Sequence, residues 1–190
     1  MTQAEKAAKV QRLPRPEHVE RLDVPRLLSL LPLRPYLKVA DVGSGAGVFT
    51  IPLAKTLWDG KVYALDTEQE FLDTLQERVR VARLGNVVPV KMEPGTVPVE
   101  LGSLDGALLA CILVHTEERP GLLQGVAAAL RKGGWCAIVD WRASADPSQG
   151  PPPRQRVPED EVLRMLREAE LRITSHRDLN DYHYFILALK

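Results

Sequence analysis

The sequence predicts an α/β domain on a mainly parallel sheet, and three observations carry that prediction. Short apolar runs alternate with longer stretches of helical periodicity from Lys38 to Trp141. A glycine-rich turn, Gly43 to Gly47, links the first apolar run to the helical stretch after it. The chain then closes on two extended runs joined by a polar turn at Asn180-Asp181. Helical crossovers between strands enforce parallel neighbours, whereas a tight polar turn joins antiparallel ones. At 190 residues the chain suits one such domain with a substantial core.

The elements follow in order. Residues 1–15 read as a tail, and Pro16 to Leu31 carries helical spacing interrupted at Pro25, so residues 1–35 are expected to form an N-terminal helical segment or lid. Residues 36–190 form the main domain. Its first strand is expected at Lys38–Val42, a helix at Gly47–Leu57, a second strand at Lys61–Asp66, a helix at Glu68–Leu84 and a third strand at Val87–Lys91. A fourth strand follows at Leu104–Ala110, a helix at Arg119–Leu130, and a fifth strand at Trp135–Trp141 after a stop at Gly133-Gly134. Beyond a proline-rich loop, Pro147 to Pro158, come a helix at Glu159–Glu170, a run at Arg172–Asp178 and a strand at Tyr182–Leu189.

The first turn carries the chemistry. Val39-Ala40-Asp41-Val42 leads into Gly43-Ser44-Gly45-Ala46-Gly47, and the second strand ends in Asp66, 19 positions past Gly47. Glycines permit a tight turn and close backbone approach to a ligand, while an acid closing the second strand reaches ribose hydroxyls. A nucleoside cofactor is therefore expected. A dinucleotide turn requires G-x-G-x-x-G, but Val48 stands where that pattern has its third glycine. Asp41 would repel a pyrophosphate and would attract an ammonium or a sulfonium. S-adenosylmethionine carries both, plus an adenosine ribose for Asp66.

On these residues the chain resembles the class I S-adenosylmethionine-dependent methyltransferases, whose first motif commonly reads apolar-Asp-apolar-Gly-x-Gly-x-Gly. The resemblance covers about Val39 to Lys190. It implies a doubly wound, Rossmann-like, seven-stranded, mainly parallel sheet with an antiparallel C-terminal strand, the last strand inserting beside the fifth. It further implies that Asp41, Gly43, Ser44, Gly45 and Gly47 surround the amino-acid end of the cofactor, and that Asp66 with Thr67 meets the ribose. Glu93, in place of the usual Asp, and Pro94 would take the adenine, and the backbone of Ala110 and Cys111 would receive the methionine portion. The subgroup it is most similar to comprises the small-molecule methyltransferases resembling those of ubiquinone and menaquinone biosynthesis, on Leu130-Arg131-Lys132-Gly133-Gly134-Trp135 and the Glu159–Glu170 helix.

Methyl transfer needs donor and acceptor held in line and water excluded. Open α/β sheets bind ligands beyond the carboxyl ends of their strands, which places His115, Asp140, Trp141 and Arg142 near the acceptor. His115 is the candidate base, Trp141 a surface for a flat acceptor and Arg142 a partner for an anionic one. Lysine plus arginine and aspartate plus glutamate number 25 each, so no overall field draws the chain to nucleic acid, and no base-methylating Asn/Asp-Pro-Pro-Tyr or Phe segment follows the fourth strand. Cys111 and Cys136 lie in apolar runs that read as strands, and His18, His176 and His183 are dispersed, so neither a disulfide nor a metal is expected. No segment reaches membrane-spanning length and no signal-peptide core is present, which reads as a cytoplasmic protein; a homo-oligomer stays open. The partner expected is a small-molecule methyl acceptor. Two alternatives remain: a catalytically silent module that binds the cofactor, and a nicotinamide-dependent oxidoreductase, which Asp41 and Val48 oppose.

Overall fold

The computed structural model describes residues 22–190. Seven strands form one sheet in the order β3-β2-β1-β4-β5-β7-β6. They are β1 (Lys38–Val42), β2 (Lys61–Asp66), β3 (Val87–Lys91), β4 (Leu104–Ala110), β5 (Leu130–Trp141), β6 (Arg172–Asp178) and β7 (His183–Leu189). The first five pair in parallel, and β7 inserts antiparallel between β5 and β6, with Asp140 opposite Tyr184. This is the expected seven-stranded, mainly parallel arrangement. Among the described residues the α-helices are α1 (Val24–Leu30), α2 (Thr50–Thr56), α3 (Gln69–Val81), α4 (Arg119–Ala129) and α5 (Glu159–Glu168).

Burial explains the layering. In β1 every residue after Lys38 is buried, as a central parallel strand covered on both faces requires. On one face Leu27, Leu53 and Leu57 meet Val39, Val62, Leu108 and Phe185, and Leu72 and Leu75 of α3 cover Ala64. On the other, Leu122, Val126, Val162 and Met165 from α4 and α5 meet Val42, Leu109, Ile138 and Tyr184. The crossover from β3 to β4 has no helix: residues 92–103 run as turns and loop, and Met92, Val97 and Val99 cover the sheet instead.

Several sequence boundaries move, each for a local reason. The helix expected from Gly47 begins at Thr50, because Gly47 has φ +90°, outside the helical region. The helix expected from Glu68 to Leu84 runs only from Gln69 to Val81, and Arg83 behind it adopts φ +55°. Gly133-Gly134 do not stop β5. The strand starts at Leu130 opposite Leu104 and resumes regular pairing at Trp135 opposite Gly106, so the two glycines lie within a register shift against β4 inside the strand. Pro25 does not interrupt a helix but opens α1, behind Asp23, whose side chain accepts from the Arg26 amide at 3.2 Å. Helix α5 ends at Glu168, and β7 begins at His183 once the Asn180 side chain has taken the amides of Tyr182 and His183, each at 2.9 Å.

Of the expected N-terminal segment, residues 1–21, His18 among them, lie outside the described residues. Leu22, Leu27 and Leu31 are buried against the sheet face that α2 also covers. Among the described residues, no helix is long and apolar enough to cross a membrane.

Candidate functional site

The carboxyl ends of β1, β2 and β4 converge because these strands are neighbours, with Val42 opposite both Leu65 and Leu109. The glycine loop leaves β1 there. The amides of Gly43 and Ser44 both donate to the Leu65 carbonyl, at 2.8 and 2.9 Å, so the end of β2 dictates the turn. Gly43, Gly45 and Gly47 all adopt positive φ, at +76°, +52° and +90°. Their surroundings differ. A Cβ on Gly43 would lie 2.2 Å from Ile112 Cδ1 and one on Gly47 2.4 Å from Leu75 Cδ1, whereas one on Gly45 would meet nothing within 4 Å. The outer glycines are required by packing within the protein, and the central one faces open space.

Two carboxylates flank the loop. Asp41 is buried and accepts from Thr50 Oγ1 at 2.5 Å. Burial, with a smaller contribution from the nearby Asp66 charge, pushes its pKa up to about 7 against the opposing Thr50 hydrogen bond. Asp66 is also buried; Oδ2 accepts from the Gly45 amide at 2.7 Å and Oδ1 from Glu68 N–H at 2.9 Å. Burial raises its pKa, while these amides oppose the shift. Each oxygen retains a second lone pair, so Asp66 can accept from further hydroxyls. Ser44 Oγ, buried in the loop next to Gly45, has no hydrogen-bond partner among the described residues. A buried cation-complementing carboxylate, an unpartnered hydroxyl and an open glycine fit a ligand that brings both positive charge and hydroxyl groups.

Residues the sequence reading did not assign support the loop. Thr50 holds Asp41, Arg78 donates from α3 to the Ala46 carbonyl at 2.6 Å, and the Lys91 ammonium donates to the Thr67 carbonyl. Thr50 sits nine positions after Asp41, one loop and one helix start away, and that spacing is the only one of the three signals present in sequence. Glu93 and Pro94 are exposed just beyond β3, tied to the site because Met92 N–H donates to the Asp66 carbonyl at 3.0 Å.

The post-β4 segment completes this end. Ala110 ends β4 and Cys111 follows it at φ +55°, with its amide on the Val139 carbonyl at 2.7 Å. Cys111 is thus not a strand residue as expected; its thiol is held protonated by burial, with pKa raised well above the ordinary range. His115 is exposed on the short 3-10 turn Leu113–His115.

The β5 end differs from expectation at two residues. Asp140 is buried and engaged by backbone amides, so it does not face an acceptor. Trp141 is 5% exposed, its ring 4.4 Å from that of His183 and beneath Gly150, where a Cβ would approach to 2.4 Å. An enclosed ring offers no open face to a flat acceptor. Arg142 pairs with Asp178 at 3.2 Å and keeps about a quarter of its side chain exposed. Arg156 lies over the Trp141 ring at 5.8 Å and donates to the carbonyls of Arg142, Ala145, Asp146, Gln149 and Pro151. No periodicity or motif in the proline-rich stretch announces that hub.

Residues 39–134, just over half of the chain, match the methyltransferase-domain family. A solved S-adenosylmethionine-dependent methyltransferase from Aquifex aeolicus superposes with a TM-score of 0.88 at 28% identity, covering 96% of this chain and 97% of that one. A probable cobalt-precorrin-6B C(15)-methyltransferase (decarboxylating) of Sulfurisphaera tokodaii is 28% identical over 102 residues, 53% of this chain and 52% of the relative. Methyltransferase str2 of Strobilurus tenacellus is 26% identical over 106 residues, 55% of this chain and 36% of the relative. The chain spans between about a third and a half of the length of the curated relatives it matches. The chain therefore belongs to the methyltransferase-domain family and has the fold of the class I S-adenosylmethionine-dependent methyltransferases.

Proposed function

We propose that this protein transfers the methyl group of S-adenosylmethionine to a small-molecule acceptor at the carboxyl edge of β4 and β5. The observation that carries the reading is the pairing of a buried Asp41 with an open Gly45 beside Asp66. An acid with few compensating donors favours a cationic ligand, and the cofactor's amino-acid end is cationic. In this reading Asp41, Gly43, Ser44, Gly45 and Gly47 hold that end, Asp66 and Thr67 the ribose, Glu93 and Pro94 the adenine, and the Ala110–Cys111 backbone the methionine chain. When bound, the cofactor supplies the electrophilic methyl. The protein's own part is to align the acceptor and exclude water. His115, exposed on the turn after β4, removes the acceptor's proton where there is one, and Arg142 attracts an anionic acceptor.

The test has two stages. Titration calorimetry should show binding of S-adenosylmethionine and S-adenosylhomocysteine and none of the nicotinamide dinucleotides. Incubation with methyl-labelled cofactor and a fractionated small-molecule extract should then transfer label to a low-mass fraction. Binding without transfer would identify a silent module, and nicotinamide binding alone would overturn the reading.

A further inference from the structure

Asp140 is the penultimate residue of β5, at the same edge of the sheet as the candidate cofactor site, yet it is 1% exposed. Its Oδ2 accepts from the Leu113 amide at 3.0 Å and its Oδ1 from the Trp141 amide at 2.8 Å. From the other side, Arg119 Nε donates to the Leu113 carbonyl at 2.8 Å, and its positive charge offsets the buried carboxylate. The segment after β4 is therefore held at Leu113 by both its amide and its carbonyl.

That segment reaches the glycine loop. Ile112 fills the space that a Cβ on Gly43 would need, and Cys111 just before it occupies the left-handed region that non-glycine residues rarely adopt. Such a backbone persists only where its surroundings over-determine it. Here the surroundings are the Val139 carbonyl on the Cys111 amide and the Asp140 carboxylate two residues further along.

We propose that Asp140 is a positioning residue for the methyl donor: by gripping the amide of Leu113 it fixes the Ala110–Cys111 backbone that receives the amino-acid end of the cofactor. It does so without contact with the adenosine end, which belongs to β2 and β3. The proposal rests on the placement of the methionine portion against Ala110 and Cys111 given above.

Two probes separate the ends of the ligand. S-adenosylhomocysteine carries the adenosine, the sulfur and the amino acid, whereas 5′-methylthioadenosine lacks the amino acid. Asp140→Asn keeps the shape but turns one acceptor into a donor facing an N–H group. It should weaken S-adenosylhomocysteine by about tenfold or more and leave 5′-methylthioadenosine within about twofold, in line with loss of a charge-assisted hydrogen bond. Arg119→Met, which removes the second tether from a partly exposed position, should produce the same selectivity with a smaller loss, and it decides the matter should Asp140→Asn fail to fold. Equal losses for both ligands, or no loss for either, in a variant whose melting curve stays cooperative would overturn the proposal. Wild-type protein binding both ligands equally well would instead remove the underlying placement of the amino-acid end.

Discussion

At the β1–β2 end of the sheet, three glycines within five residues shape the loop, and the acids that flank it stand where the two strands stop. At the β5–β7 end, Arg156 gathers the carbonyls of a loop that began fourteen residues earlier, and Trp141 is enclosed by His183 and Gly150. The first region is built from backbone angles that only glycine accepts cheaply. The second depends on one buried guanidinium satisfying five carbonyls of a single loop. The two ends of one site therefore differ in what holds them, backbone angles at one and a side chain's hydrogen bonds at the other, and they should break in different ways.

The largest expected effect falls on Gly43. Its φ and the 2.2 Å approach of Ile112 leave no room for a side chain, so Gly43→Val should cost about 3 kcal/mol or more of stability, read from the urea midpoint. Gly45→Val adds strain of about 1 to 2 kcal/mol but meets nothing, so the fold should survive while cofactor binding is lost. A Gly45→Val protein with wild-type affinity would detach the loop from the ligand.

Arg156→Met should leave five loop carbonyls without that donor and cost about 2 to 3 kcal/mol, concentrated between Arg142 and Arg156. Limited proteolysis should open this stretch first, with S-adenosylhomocysteine affinity unchanged. Loss of cofactor binding in this variant would mean that the two ends are coupled rather than separately built.

Asp66→Ala should cost about 1.5 to 3 kcal/mol of cofactor affinity, because the ribose would lose a charged acceptor and the Gly45 amide its own partner. Calorimetry on the folded variant checks it, and unchanged affinity would show that the ribose lies elsewhere.

A pH dependence follows from the burial of Asp41. Asp41, with a pKa pushed up to about 7, binds a proton in the native state that the unfolded chain has lost by about pH 5. The free protein should therefore lose stability as pH rises from about 4 to 7. A cationic ligand selects the ionised carboxylate, so cofactor affinity should rise over the same approach to pH 7, by about tenfold per unit at most, and level off above it. Asp41→Asn should flatten that rise; an equally steep profile in the variant would assign the titration to Asp66 or Asp140 instead.

The sequence determined the strand order's raw material. Alternating apolar runs, the Gly43–Gly47 turn and the C-terminal polar turn are local patterns, each with a backbone consequence confined to a few residues, and they led to a mainly parallel sheet with an antiparallel end. The spacing from Gly47 to Asp66 likewise brought two acids to one edge, because parallel neighbours place their carboxyl ends side by side. Tertiary structure alone decided which polar groups face outward. Asp140 looked like an acceptor-side residue, since strand ends in open sheets face ligands, but the amides of Leu113 and Trp141 consume its carboxylate. Trp141 became a packing residue because Gly150 and Arg156 close over it. Gly43 and Gly45 look alike in the chain, and only the position of Ile112, brought in by β4, makes one a packing requirement and the other an opening. Backbone conformation is set by neighbours along the chain, whereas burial and hydrogen-bond satisfaction are set by whatever the fold brings alongside.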